Sequence, residues 1–373
     1  MILFWTRNFP SNKSGSAKVI LEYLKNLKKE NYYFVCEKKT NDNFFQIQNK
    51  KFIDSFKFNK FGRAGVLIKF FSIFIYIFLG IFIIKKYKIK KIFTVYNDIF
   101  WIFSSILISK LTSTELIFNI HDPLKNKSKF AGLMSKYLIS FLEPYIFKNF
   151  KIVVLYESLK KYYENIYPKT NIFVVNHIFT RKKKVLKKFN ENKKINVCFI
   201  GSIYDYNCLR LKRFIKFINM RNDFVFHIIS QTSKKIIASK GIKFSKKVNF
   251  HYSLSQREIN KFLQNANLLY LPLNDGNKIP LENVKHVIPT KFLDYLNTSR
   301  HILLDMNKNY YLSKITRNIG HIINIEDFIR LKNFNVLKEN KIDLINKNNN
   351  ILINRFFEKK KNMRKLKKIL EIN

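Results

Sequence analysis

Short apolar runs and helix-length stretches alternate along almost the whole chain. The alternation breaks once, at the charged, apolar-poor segment TRKKKVLKKFNENKK, residues 180–194. Strand–helix–strand alternation argues for parallel sheets covered by helices. Before the break, strands are predicted at ILFWT (2–6), YYFVC (32–36), KIFTVY (91–96), ELIFNI (115–120), KIVVL (151–155) and NIFVV (171–175). Helices are predicted between them at 15–28, 62–87, 98–110, 129–148 and 157–166. After it the pattern restarts with strands INVCFI (195–200), FVFHIIS (224–230), VNFHY (248–252), NLLYL (267–271) and HILL (301–304). Helices are predicted there at 206–219, 255–265 and 290–297, with Ser255 and Glu258 at capping-box spacing and a basic helical tail from 338 onward. The reading is an α/β protein of two Rossmann-like domains facing a central cleft. An N-terminal domain spans 1–178, a basic linker 179–194 and a C-terminal domain 195–373. No repeat of solenoid length is present.

Length and composition agree. A chain of 373 residues fits two domains of average size, and an apolar share of 47% is enough for packed cores. Cys36, Cys198 and Cys208 are scattered, without a CxxC pair or a Cys/His cluster, so neither a disulfide framework nor a structural zinc is expected. MILFWTRNFP lacks a basic leader and its apolar run stops after five residues, so it reads as a buried strand and not a signal peptide.

The net charge of +45 asks for an acidic partner: nucleic acid, an anionic membrane or phosphorylated ligands. Lys, Asn, Ile and Phe are inflated together, so a compositional bias toward an AT-rich genome explains the charge equally well. The basic runs RKKKVLKK (181–188) and KKKNMRKLKK (359–368) are lysine-dominated with little aromatic interleaving, which makes nucleic acid the weaker partner. AGVLIKFFSIFIYIFLGIFII (64–84) has one charge, Lys69, and basic flanks at Arg63 and Lys85–Lys86. Three readings stay open for it: a membrane span, a buried core helix, and an interfacial helix dipping into the leaflet. The basic flanks favour the last, and a span would cut the first strand from its sheet.

In open parallel sheets ligands bind beyond the carboxyl ends of the strands, so the loops there are the candidates for chemistry. TRNFPSNKSGSAKVI (6–20) follows the first strand and opens a helix at Gly15, with Ser16 behind it; glycine there lets the backbone approach a ligand. In FNIHDPL (118–124), His121 and Asp122 follow a strand, where a histidine can bond a sugar hydroxyl or a phosphate. Gly201 and Ser202 end the first strand of the second half, where a small residue makes room for a phosphate. Asn176 and His177 end the last strand of the first half and suggest hinge geometry. In VIPTKFLDYL (287–296), Pro289 and Thr290 start a helix, with Thr290 the expected N-cap. Asp294 lies one turn on, where a carboxylate can accept two hydrogen bonds from a ribose diol; the plain alternative is a surface acid beside Lys291 and Arg300.

The order of these features resembles the large retaining glycosyltransferase family with the GT-B fold, of the bacterial group-1 or family-4 kind. The match is most specific over 248–304. It runs through Val248 and Phe250, then Leu263, Ala266, Leu268 and Pro272, then Pro289, Thr290, Lys291, Phe292, Asp294, Tyr295 and Leu296. The resemblance implies that Asp294 binds the ribose of a nucleotide-sugar donor and that Thr290 with Lys291 binds its diphosphate. It places His121, with Asp122, near the reacting sugar and Gly15 and Ser16 near the donor phosphates. It implies no bound metal and no cofactor, the nucleotide-sugar being a substrate. The sequence departs from the pattern in three ways: Asp294 stands for the usual glutamate, His286 for its partner glutamate, and Ser202 and Asn207 for the basic pair that grips the diphosphate, a task open to Arg210 or Lys212.

The expectation is a cytoplasmic hexosyltransferase-type enzyme, peripheral at the inner face of the membrane. It would build a bacterial surface glycan such as lipopolysaccharide or capsule, using a glycan or lipid-linked glycan acceptor and an anionic membrane surface. Two alternatives stay open: a catalytically silent GT-B protein that binds a glycan or partner, and charge-driven nucleic-acid binding.

Overall fold

A computed structural model describes residues 1–7, 10, 15–36, 52–54, 64–96, 99–123, 133–179, 194–273, 282–331, 333–337, 339 and 341–372. The chain divides into two compact units, Met1–Phe179 with Phe357–Asn373, and Thr180–Phe356. The expected linker therefore lies outside the described residues except at its ends. The C-terminal boundary differs from the expected one, because the basic last helix belongs to the first unit.

The first unit is a seven-stranded sheet in the order β3-β2-β1-β4-β5-β6-β7, and all of its pairings are parallel. Its strands are β1 (Ile2–Trp5), β2 (Tyr32–Cys36), β3 (Phe52–Asp54), β4 (Lys91–Val95), β5 (Glu115–Ile120), β6 (Lys151–Val154) and β7 (Ile172–Val174). The strands are apolar without alternation because both faces of the sheet are covered. Helix α1 (Gly15–Asn26) joins β1 to β2. The helices α2 (Ala64–Tyr87), α3 (Ile99–Thr112), α4 (Leu133–Asn149) and α5 (Glu157–Ile166) each carry the chain from β3 toward β7. Crossovers running in one direction with one handedness share one face of the sheet, and α2 packs on α3 as α3 packs on α4.

A buried aromatic cluster fixes α2 and α3 to the sheet. The Trp5 ring lies 5.0 Å from Trp101 of α3, and Tyr76 of α2 lies 5.0 Å from Trp101. The Trp5 indole N–H donates to Ser104 at 3.3 Å, so its one polar group is satisfied. At Gly80 a Cβ would stand 2.4 Å from the Ile108 side chain, so the glycine sets how closely α2 and α3 approach.

The second unit is a six-stranded parallel sheet in the order β10-β9-β8-β11-β12-β13. Its strands are β8 (Ile195–Ile200), β9 (Phe224–Ser230), β10 (Val248–Tyr252), β11 (Leu268–Pro272), β12 (His301–Asp305) and β13 (Ile322–Asn324). Helices α6 (Asp205–Asn219), α7 (Lys234–Ser239) and α8 (Gln256–Asn265) connect the first four in chain order. The short α9 (Glu282–Lys285) and α10 (Thr290–Leu296) lie between β11 and β12, and α11 (Tyr311–Thr316) precedes β13. Two further helices, α12 (Ile325–Ile329) and α13 (Ile342–Leu352), follow the sheet. The short elements β3, α7, α9, α11, β13 and α12 are absent from the sequence reading, since three to six residues carry too little periodicity to register.

The last helix, α14 (Lys359–Leu370), completes the first unit. Met363, Leu366, Ile369 and Leu370 are buried, the backbone N–H of Asn176 donates to Asn362 Oδ1 at 3.2 Å, and Phe179 bridges to Glu358. The Glu371 carboxylate meets Lys91 at 2.8 Å, and Lys91 also meets Glu115 at 2.9 Å. Asn176 thus anchors the C-terminal helix within the unit. His177 is buried against the edge of Tyr156 at 5.5 Å.

Candidate active site

Both sheets reverse strand order once. In the first the reversal falls between β1 and β4, in the second between β8 and β11. A crevice opens at such a point beyond the carboxyl ends of the strands.

In the second unit that point is occupied by Gly201 and Lys291. Gly201 follows β8 with φ +136, a region that side chains other than glycine's rarely enter. A Cβ there would fall 1.8 Å from Lys291 Nζ, so the glycine leaves the space that the ammonium fills. The same ammonium lies 5.1 Å from the centre of the Phe199 ring. Burial pushes Lys291 down to about 8, and the neighbouring Asp294 carboxylate works against that shift.

Helix α10 is held in this position by its buried residues. Phe292, Leu293, Tyr295 and Leu296 are buried, and the Tyr295 hydroxyl ties the end of β8 to β11. It accepts from the Ile200 N–H at 3.2 Å and donates to the Tyr270 carbonyl at 3.1 Å. Asp294 is the exposed residue of this run. One expectation is corrected here. The N-cap is Pro289, with φ −60 and ψ 137, and Thr290 is already the first helical residue without a side-chain cap. Proline takes the position because its fixed φ suits an extended residue before a helix.

Two polar side chains after β8, Asn207 and Arg210, bond within the second unit. The Asn207 side chain accepts from the Tyr204 N–H at 3.0 Å and donates to the Ser202 carbonyl at 3.4 Å, which starts α6. Arg210, expected as a substitute grip, donates to Asp305 at 2.5 Å, and the other Asp305 oxygen accepts from Tyr270 at 2.5 Å. Its charge is therefore already answered. Burial, with the Asp305 carboxylate adding to it, pushes the Tyr270 phenol well above its ordinary value, so it stays a donor.

In the first unit, Gly15 and Ser16 open α1 after β1, and His121 and Asp122 follow β5, two strands across. All four lie at the carboxyl edge of one sheet. His121 is buried, and its Nε2 lies 2.9 Å from the Asn119 amide nitrogen. Asn119 is itself fully buried, and Tyr23, also buried, donates to the Val175 carbonyl at 3.5 Å. The sequence reading missed Asn119, although a signal was present: residues two apart on a strand share a face, so FNIH puts Asn119 beside His121. It also missed the bond of Tyr295 to Tyr270 and the pairing of Arg210 and Tyr270 with Asp305, between residues 25 to 95 apart. Among the described residues, no group of three or more His, Cys, Asp or Glu side chains is placed to hold a metal ion.

Two Rossmann-like units, each a parallel helix-covered sheet, define the GT-B fold class. Solved structures of that class match the chain over nearly its whole length. A sucrose-phosphate synthase from Thermosynechococcus elongatus aligns with a TM-score of 0.72 at 9% identity, covering 99% of this chain and 98% of its own. A glycosyltransferase from Rickettsia africae aligns at 0.62 with 14% identity, covering 99% and 97%. The lipopolysaccharide outer core galactosyltransferase WaaB aligns at 0.62 with 12% identity, covering 99% of each chain. At these identities the likeness establishes the fold. No protein-family profile matches the sequence, and no curated protein does.

Proposed function

We propose that the protein is a glycosyltransferase that moves a hexose-type sugar from a nucleotide donor to a bacterial surface glycan or its lipid-linked precursor, with retention. The observation that carries this reading is the Lys291 ammonium seated against Gly201 at the strand reversal of the second unit, with Asp294 exposed on the same short helix. A cation there would answer the charge of a leaving diphosphate, and a fixed positive group needs no reorganisation as that charge develops. Asp294, Thr290 and the small residues Gly201 and Ser202 complete the donor side, with Asp294 on the ribose diol. Arg210 stands behind them, its charge spent on Asp305. In the first unit, His121 and Asp122, with Gly15 and Ser16, are the residues proposed to meet the reacting sugar and the acceptor. Asn119 orients the His121 ring. No metal takes part in this reading. The enzyme would act at the cytoplasmic face of an anionic membrane.

The test is thermal stability of the purified chain with saturating UDP, GDP, CDP and ADP, beside Asp294→Ala and Lys291→Met. A ligand at one hundred times its dissociation constant adds about 2.7 kcal/mol. One diphosphate is expected to raise the melting temperature, and both variants to lose that rise while staying folded. No rise with any nucleotide would reject the donor site and leave a catalytically silent glycan- or partner-binding protein as the better description.

A further inference from the structure

From Ile73 to Ile84, where its side chains are described, helix α2 is apolar on all sides and one side of it is buried. Ile73, Tyr76, Ile77, Gly80, Ile83 and Ile84 are buried, with Tyr76 against Trp5 and Trp101 and Gly80 against Ile108. Phe74, Ile75, Phe78 and Phe82 point away from them and are exposed, Phe78 by 73%. Phe74, Phe78 and Phe82 recur every four residues and Ile75 lies three before Phe78, which puts them on one stripe. On the same side of the sheet, α4 presents Tyr137 and Phe141, four apart and exposed, Phe141 by 78%. Scattered exposed apolar residues are ordinary on a monomer; a layer of large ones on neighbouring helices marks an interaction surface.

The charges around this layer choose among possible occupants. Lys85, Lys86, Lys88, Lys90, Lys110 and Lys148 are exposed at or just beyond the carboxyl ends of α2, α3 and α4. Those three helices contain one acid, Glu143, and it is buried beneath Tyr96 and Tyr167. A second copy of the chain would bring the same lysines against these, with no exposed acid on the helices to answer them. An anionic bilayer meets both features at once, since its acyl boundary takes aromatic side chains and its headgroups take lysines.

Among the described residues no helix is long and apolar enough to cross a membrane, and the buried face of α2 is already committed to Trp5, Trp101 and Ile108. We infer that the outward face of α2 and α4 is a docking surface for anionic lipid, on which the first unit lies without spanning the bilayer. The inference rests on the membrane-surface part of the proposed function, and its test reads lipid binding alone, so its failure is distinct from failure of the donor site.

The experiment is co-sedimentation of the full chain with vesicles of phosphatidylcholine alone and of phosphatidylcholine mixed with phosphatidylglycerol. Wild type is expected to sediment with the mixed vesicles only, and Phe78→Asp/Phe82→Asp to bind at least about tenfold more weakly. Phe78→Trp is read beside it, because Trp5 and Trp101 are buried and a third tryptophan at the stripe reports its own surroundings. Brominated lipid is expected to quench that tryptophan. Three results would overturn the inference: no sedimentation of wild type, sedimentation that the aspartate pair leaves unchanged with an unshifted melting temperature, or an added indole in Phe78→Trp that brominated lipid leaves unquenched. A concentration-dependent dimer that the aspartate pair dissolves would overturn it too, in favour of a second copy.

Discussion

Replacing Asp305 by alanine should unfold the second unit ahead of the first. Asp305 ends β12 nearly buried, with Arg210 on one oxygen and Tyr270 on the other, both at 2.5 Å. The Arg210 side chain is 15% exposed, so little water is at hand to replace the carboxylate. Removing one partner of a buried pair costs about 3–5 kcal/mol, because the other charge is left uncompensated. The orphaned tyrosine hydroxyl adds to this, so Asp305→Ala is placed at about 4 kcal/mol or more. Tyr270→Phe removes one donor and keeps the ring stacked 4.1 Å from Phe214, so its cost is about 1–2 kcal/mol. Asp305→Asn falls between them.

The chain suits the assay, since its two tryptophans, Trp5 and Trp101, both lie in the first unit. Tryptophan fluorescence in a urea titration therefore follows that unit, and far-ultraviolet circular dichroism follows both. The variant should show an early dichroism transition and an unmoved fluorescence midpoint. Adding Arg210→Met to Asp305→Ala should recover part of the loss, because the cost is the stranded charge more than the missing bond. An Asp305→Ala variant as stable as wild type, or a double variant less stable than the single one by the full cost of Arg210→Met, would refute a stranded charge as the cause.

Gly201→Ala should cost about 1–3 kcal/mol for its left-handed backbone and also displace the Lys291 ammonium; the check is a lower melting temperature together with loss of any nucleoside-diphosphate response. Burial pushes His301 and His321 down to about 4 from an ordinary 6.5, with His321 and Lys341 adding to the shift at His301 and the Asn349 bond opposing it at His321. The folded state then binds fewer protons than the unfolded one. Stability should be full above pH 6.5 and fall as the pH drops from there to 4, by up to about 3 kcal/mol per histidine; urea midpoints across that range check it, and His321→Gln should flatten the curve. Truncation after Phe356 should destabilise the first unit by several kcal/mol, read as a lower fluorescence midpoint in urea, as about 1.5–3 kcal/mol follows each buried apolar side chain of α14. Glu371→Ala should have a small effect beside it, since that carboxylate is largely in water.

The fold was legible from sequence because parallel strands buried on both faces leave unmixed apolar runs. The runs at 195–200, 224–230 and 248–252 coincide with β8, β9 and β10. Position at a strand end was legible too, which is why His121 and Gly201 stand out in the sequence. The environment of a side chain was not. Nothing near Arg210 in sequence announces Asp305, ninety-five residues away, with which it forms a buried ion pair. Nor does Lys291 announce that its ammonium fills the space beside Gly201.

The apolar stretch at 64–84 divides the two kinds of information most clearly. Its composition established a helix compatible with a span, a core or an interface. Only packing against Trp5, Trp101 and Ile108 assigned one face to the sheet and left the other to the surroundings. The last helix makes the same point: its basic residues and helical period are local, but its membership in the first unit depends on contacts with Asn176, Lys91 and Phe179. Local sequence sets backbone preference and burial pattern through interactions a few residues long. Which distant groups meet, and which charges are answered, is decided by the order in which the strands enter the sheet.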